Sequence, residues 1–137
     1  MTTIHGSCLC ASIKYCIEGP VNLFQYCFCS RCRKNTGSAH ASNLFAPVEQ
    51  FSWLQGQELL GHYQLPEAKY FSTGFCKTCG SSMPWLTRNQ KNYVVPAGSL
   101  DDELELTPQQ SIFWQSRANW YQLPSDIPCF AELPAKK

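Results

Sequence analysis

Apolar and polar positions along this chain alternate in short runs, and almost no stretch carries the three-to-four-residue repeat of an amphipathic helix. From Ala11 to Glu18, Ile13, Tyr15 and Ile17 fall on one face and Ser12, Lys14 and Cys16 on the other. A two-residue period is the mark of a half-buried strand. Gly19-Pro20 ends it, since these residues punctuate regular structure. Leu23 to Phe28 is a second short apolar run. The pattern predicts further strands at Leu44-Phe45, Phe51–Leu54, Leu59–Leu65, Tyr70–Phe75, Met83–Leu86, Tyr93–Val95 and Ile112–Trp114, each bounded by Gly, Pro, Ser or Asn. Many short strands at such spacing predict a mainly β protein, a pair of packed sheets or a barrel-like sheet. One short helix is predicted, capped by Ser30, running through Arg33 and Lys34 and stopped near Gly37. Asp101 to Pro108 reads as a polar connection, with Asp101-Asp102 as turn chemistry. The tail from Pro124 reads as irregular.

Length and charge narrow the class. A chain of 137 residues is read as a single domain over residues 1–137, large enough to bury a core. The net charge of +1, with only 15% charged residues, leaves no basic stripe for nucleic acid. Met1 to Gly6 lacks the apolar core of a signal peptide, and no apolar run approaches a membrane span. The expectation is a soluble, cytoplasmic protein with neither nucleic acid nor membrane as partner, its oligomeric state open. Trp53, Trp85, Trp114 and Trp120 are expected mainly in the core.

Nine cysteines change the picture: an odd count without an export signal fits a disulfide framework poorly. Seven fall into three tight groups, Cys8-x-Cys10, Cys27-x-Cys29-x-x-Cys32 and Cys76-x-x-Cys79. A Cys-x-Cys pair on an extended strand presents both thiols on one face. Cys76-x-x-Cys79-Gly80 suits a tight knuckle in which Gly80 takes a positive φ. Together Cys8, Cys10, Cys76 and Cys79 supply four thiolates, the donor set of a closed structural zinc site. Cys27, Cys29 and Cys32 supply three, which leaves a fourth tetrahedral position for water or substrate, as at a catalytic zinc. Two other readings stay open for this group: a second closed site completed by Cys16, Cys129, His5, His40 or His62, and a disulfide. Cys16 and Cys129 read as buried free thiols.

These motifs carry a resemblance. Gly6-Ser7-Cys8-Leu9-Cys10, Cys27-Phe28-Cys29-Ser30-Arg31-Cys32-Arg33-Lys34-Asn35-Thr36-Gly37-Ser38-Ala39, Phe75-Cys76-Lys77-Thr78-Cys79-Gly80 and Pro96-Ala97-Gly98-Ser99-Leu100-Asp101-Asp102 occur in this order. The chain thereby resembles the glutathione-dependent formaldehyde-activating enzymes, a family that includes centromere protein V. The resemblance implies a zinc-binding β-tent fold of short antiparallel strands. It also implies two zinc ions, structural on Cys8, Cys10, Cys76 and Cys79 and catalytic on Cys27, Cys29 and Cys32. Two positions depart from the family pattern. Phe28 stands where the family usually has His between the first two cysteines of the middle motif, and Ser111 where members often carry His before the late Ile-Phe pair. On an extended Cys-x-Cys, the Phe28 side chain points away from the metal face.

The leading expectation is a zinc-dependent carbon–sulfur lyase acting on a thiol–aldehyde adduct such as S-hydroxymethylglutathione. Arg31, Arg33 and Lys34, beside the middle cysteines, would hold the carboxylates of glutathione or another acidic thiol. Two rival classes use the same cysteines: a zinc-stabilised binding module without catalysis, and a thiol redox or metal-handling protein.

Overall fold

The computed structural model describes residues 2–21 and 23–135. Its strands are β1 (Thr3–Ser7), β2 (Lys14–Glu18), β3 (Leu23–Cys27), β4 (Ala41–Pro47), β5 (Phe51–Gln55), β6 (Leu60–Gln64), β7 (Ser72–Cys76), β8 (Ser82–Met83), β9 (Trp85–Leu86), β10 (Asn92–Pro96) and β11 (Gln110–Ile112). The helix α1 (Ser30–Thr36) follows β3. The strands form three sheets, ordered β1-β2-β5, β11-β3-β4-β10-β9 and β6-β7-β8.

The alternation read from the sequence becomes burial in the first sheet. Ile13, Tyr15 and Ile17 are fully buried. Tyr15 and Ile17 pack against Phe24, Leu44, Ala46, Phe51 and Val95, which form the main core. Phe51 stacks on Tyr15 and on Tyr93. The five-stranded sheet therefore has two unlike faces. Leu44, Ala46 and Val95 point into the core. Their sequence neighbours Asn43, Phe45 and Val94, with Gln25 and Cys27 of β3, point the other way and line a cleft, because strand side chains alternate between faces. Ile13, Leu60 and Met83 build a second apolar cluster around Cys8 and Cys76.

Several local expectations are corrected. β1 was not expected, because Ile4 is its one buried large apolar side chain. It forms by pairing with β2 over five residues and through long-range bonds from the Asp pair. The Ser7 hydroxyl donates to Asp101, and the His5 backbone N–H donates to Asp102 Oδ2 at 2.7 Å. Asp101 and Asp102 thus fasten β1 instead of shaping only their own turn. β4 extends well beyond Leu44-Phe45 because β3 and β10 pair along both its edges. The expected Met83–Leu86 strand splits at Pro84 into β8 and β9 of different sheets; proline has no N–H to give a ladder. The expected Ile112–Trp114 strand stops at Ile112, where Phe113 turns into the left-handed region at φ 55°. β11 also pairs parallel to β3, against the all-antiparallel expectation. Trp114, Trp120 and Cys129 are exposed, since the segment beyond β11 lies outside the hydrogen-bonded sheets. Cys16 is buried as expected.

No described helix is long and apolar enough to cross a membrane.

Candidate metal centres and the adjoining cleft

The first cysteine group assembles where two turns meet. β1 stops at Ser7, so Cys8-Leu9-Cys10 is not the extended pair the motif suggested. It is a turn closed by the Ala11 N–H donating to the Cys8 carbonyl at 2.9 Å, with Ala11 at φ 64°. The partner pair closes as expected. Gly80 N–H donates to the Cys76 carbonyl at 2.8 Å, and Gly80 sits at φ 78°, a conformation that favours glycine.

The four sulfurs of Cys8, Cys10, Cys76 and Cys79 lie within 4.8 Å of one another. Cys8 Sγ is 3.6 Å from Cys10 Sγ, which is 3.9 Å from Cys76 Sγ. A tetrahedron with metal–sulfur bonds near 2.3 Å has sulfur–sulfur edges of about 3.8 Å, so the donor set has the size of a zinc site. Supporting hydrogen bonds favour thiolates there. Ile13 N–H donates to Cys8 Sγ at 3.3 Å, and the Ser81 hydroxyl lies 3.2 Å from Cys79 Sγ. Hydrogen bonds from the Ser81 hydroxyl and backbone lower the Cys79 thiol to about 5. Hydrogen bonding at Ser12 lowers Cys10, whereas burial raises Cys8.

The second group joins the end of β3 to the start of α1. Cys27 is the last residue of its strand, and Cys29 caps the helix, its Sγ accepting from Cys32 N–H at 3.3 Å. The expected cap was Ser30; the chain places the cap one residue earlier because the sulfur of Cys29 reaches the free N–H groups of the first turn. Gly37, at φ 68°, ends the helix as expected. The three sulfurs lie within 4.8 Å of one another. No histidine, carboxylate or further cysteine joins them among the described residues, and all nine cysteines are free thiols.

Charge is crowded at this triad. A hydrogen bond from Cys32 pulls the Cys27 thiol down to about 6. The same bond, burial, and repulsion from Cys27 and Cys29 push Cys32 up. One thiolate is thus stable at neutral pH, and a second is opposed by its neighbours. A cation held by all three sulfurs removes that opposition, so the donor chemistry fits a metal ion.

Phe28, between two of these cysteines, is 1% exposed and turns away from the cleft. Its ring meets His40 at 4.9 Å, Trp114 at 5.0 Å and Tyr121 at 5.1 Å. The residue that replaces the family's histidine therefore anchors the segment after β11 behind the triad. Phe28→Ala is expected to lower stability by about 3–5 kcal/mol in urea unfolding followed by fluorescence. It should also loosen the triad, seen as faster reaction of its three thiols with a colorimetric thiol reagent.

The triad opens into a cleft of about 1030 Å³. Its floor is the outer face of the five-stranded sheet. Its walls are the third sheet, α1 and the 65–71 segment. Arg31, Lys69 and Arg88 line it, and among the described residues no aspartate or glutamate does. Of Arg31, Arg33 and Lys34, the sequence-based candidates for substrate carboxylates, Arg31 is among the lining residues and Arg33 and Lys34 are not. From α1 the cleft takes Ser30, Arg31, Cys32, Asn35 and Thr36, while Arg33 is half-buried and Lys34 exposed.

Two cations here gave no local motif. Lys69 reaches the cleft from the 65–71 segment, and Arg88 holds that segment in place. Its guanidinium donates to the carbonyls of Ala68 at 2.6 Å and of Lys69, Leu65 and Phe71 at 3.1 Å each. The sequence separation of 17 to 23 residues hides this contact from pattern reading.

The sequence profile described as "Glutathione-dependent formaldehyde-activating enzyme" matches residues 3–116. A Halomonas elongata protein named "Putative glutathione-dependent formaldehyde-activating enzyme" is 27% identical over 140 residues, covering 96% of this chain and 88% of that protein. A crystal structure of a Rhodobacter sphaeroides protein has the same fold, with a TM-score of 0.58 at 23% identity. That match covers 78% of this chain and 98% of the other. With the family profile spanning both cysteine groups and every strand of the three sheets, this chain belongs to the glutathione-dependent formaldehyde-activating enzyme family.

Proposed function

We propose that this protein is a zinc-dependent carbon–sulfur lyase of the β-tent fold, joining or separating an acidic thiol and an aldehyde. The observation that carries the reading is the cysteine triad, which has no fourth protein ligand among the described residues and opens into a cleft that they line with cations and no carboxylate. Two zinc ions are assigned. Cys8, Cys10, Cys76 and Cys79 would hold a structural one, and Cys27, Cys29 and Cys32 one with an open position. The second zinc would supply a Lewis-acidic position with an affinity for a soft sulfur or an aldehyde oxygen.

The chain's own residues do the rest. Arg31 and Lys69 are placed to hold carboxylates of the thiol by charge-assisted bonds. Arg33 and Lys34, also on α1, add positive potential that draws an anion toward the cleft. Phe71, Trp85 and Ile112 give the cleft apolar walls, which strengthen those ionic contacts by excluding water. In the joining direction the thiol sulfur bonds to the aldehyde carbon, the carbon–oxygen π bond breaks, and the thiol proton ends on the oxygen. Glutathione and formaldehyde are the first pair to test, because the family and the Halomonas relative carry those names.

The test is zinc K-edge X-ray absorption on protein loaded with two zinc ions and titrated with glutathione. The expected result is one added sulfur around half of the zinc. A coordination shell that ignores glutathione, together with no exchange between glutathione and formaldehyde by NMR, would leave a zinc-stabilised binding module.

A further inference from the structure

A row of side-chain amides runs from the sheet edge at β11 into the cleft floor beside the triad, and neither the metal sites nor the cationic wall accounts for it. Gln25 sits two residues before Cys27 on β3, so both side chains leave the same face of the sheet. It is 8% exposed and lines the cleft. Its strand partners are Asn43 on β4 and Gln110 on β11. Gln110 Nε2 donates to Gln25 Oε1 at 2.7 Å. That bond occupies the Gln25 carbonyl and fixes the amide plane. The Gln25 nitrogen has no protein partner among the described residues, and it is not among the buried polar atoms left unsatisfied. It is therefore an accessible donor. Asn43 also lines the cleft, with no side-chain partner among the described residues.

Covering an accessible amide donor with a ligand that offers it no acceptor is costly. An apolar residue would serve the floor of a plain hydrophobic cleft better. A neutral donor beside the sulfur site suits a neutral oxygen, and it adds no charge to the ionic contacts across the cleft.

We propose that Gln25 is a specificity-determining residue that donates to the oxygen on the carbon bonded to the ligand's sulfur. That oxygen distinguishes a thiol–aldehyde adduct from a plain thioether. Gln110 is a positioning residue that holds the Gln25 amide with its nitrogen toward the cleft. The inference rests on the proposed function, in that it places a sulfur ligand at the triad.

The test compares two stable probes, S-acetylglutathione and S-ethylglutathione, which differ by an oxygen on the carbon bonded to sulfur. Affinities are measured by isothermal titration on zinc-loaded protein. The wild type should prefer the acetyl probe by about tenfold, the effect of one hydrogen bond. Gln25→Leu should abolish the preference while keeping the affinity for the ethyl probe. Gln110→Ala should reduce it several-fold; Gln110 is exposed, so this variant keeps the fold even if Gln25→Leu does not. Gln25→Glu should turn the preference against the acetyl probe, because a carboxylate presents only acceptors. A wild type that binds both probes equally overturns the inference and leaves the proposed function standing. So does a preference that survives both Gln25→Leu and Gln110→Ala. A wild type that binds neither probe overturns both.

Discussion

Cys79→Ser is expected to abolish cooperative unfolding, leaving an expanded or aggregated chain even with zinc in excess. The site it breaks ties the turn after β1 to the knuckle after β7, a contact between Cys10 and Cys76 across 66 positions of sequence. Closing so long a loop costs chain entropy, and metal binding offsets that cost. A structural zinc contributes about 10–16 kcal/mol of apparent binding energy in small domains. The whole margin of a domain is only about 5–15 kcal/mol. The site also lies inside an apolar cluster, with Cys76 fully buried beside Ile13, Leu60 and Met83. Losing the ligand would therefore disturb the core as well as the loop. Circular dichroism melts with and without zinc give the measurement. A variant that melts within a few degrees of the wild type would show that the four sulfurs are not a folding site.

Cys29→Ser should give the opposite result: a folded protein that has lost its chemistry. The sulfur of Cys29 caps α1 through one bond from Cys32 N–H. Serine is among the best residues for that position, so the helix should survive. Zinc should fall from two ions to one per chain. Activity on a thiol–aldehyde adduct should fall more than about 100-fold, beyond the loss caused by altering a group merely adjacent to a metal ligand. Mass spectrometry under native conditions reads the zinc count, and NMR reads turnover. Equal loss of folding in both variants would favour the purely structural reading of both sites.

The same triad sets a pH dependence. With the triad empty of metal, Cys27 lies at about 6 against an ordinary 9.0. Its folded value is depressed, so the stability it contributes is complete above pH 9 and is lost as pH falls toward 6. Cys32 is raised, so its contribution is complete below pH 9 and does not change within this window. With one zinc loaded on the four-cysteine site and the triad left empty, stability attributable to the triad should therefore rise from pH 6 to pH 9, and Cys27→Ala should flatten that slope in urea titrations.

Short-range physics was legible in the sequence. A two-residue apolar period marks β2 because alternation is a property of the extended backbone itself. Gly80 and Gly37 mark two turns because a positive φ excludes most other residues. Cysteine spacing separated a group of four from a group of three because a tetrahedral ion accepts few arrangements of nearby sulfurs. Tertiary structure decided everything that needed partners distant along the chain. β1 became a strand only through β2 and the Asp101-Asp102 clasp. The turn at Cys8 replaced the expected extended pair because its sulfurs had to meet Cys76 and Cys79. Of the cations expected beside the triad Arg31 lines the cleft, and Lys69 and Arg88 join it from chain distant in sequence. Which side chains share a cleft depends on sheet order and helix rotation, and those follow from burying the core as a whole, which no local run of residues encodes.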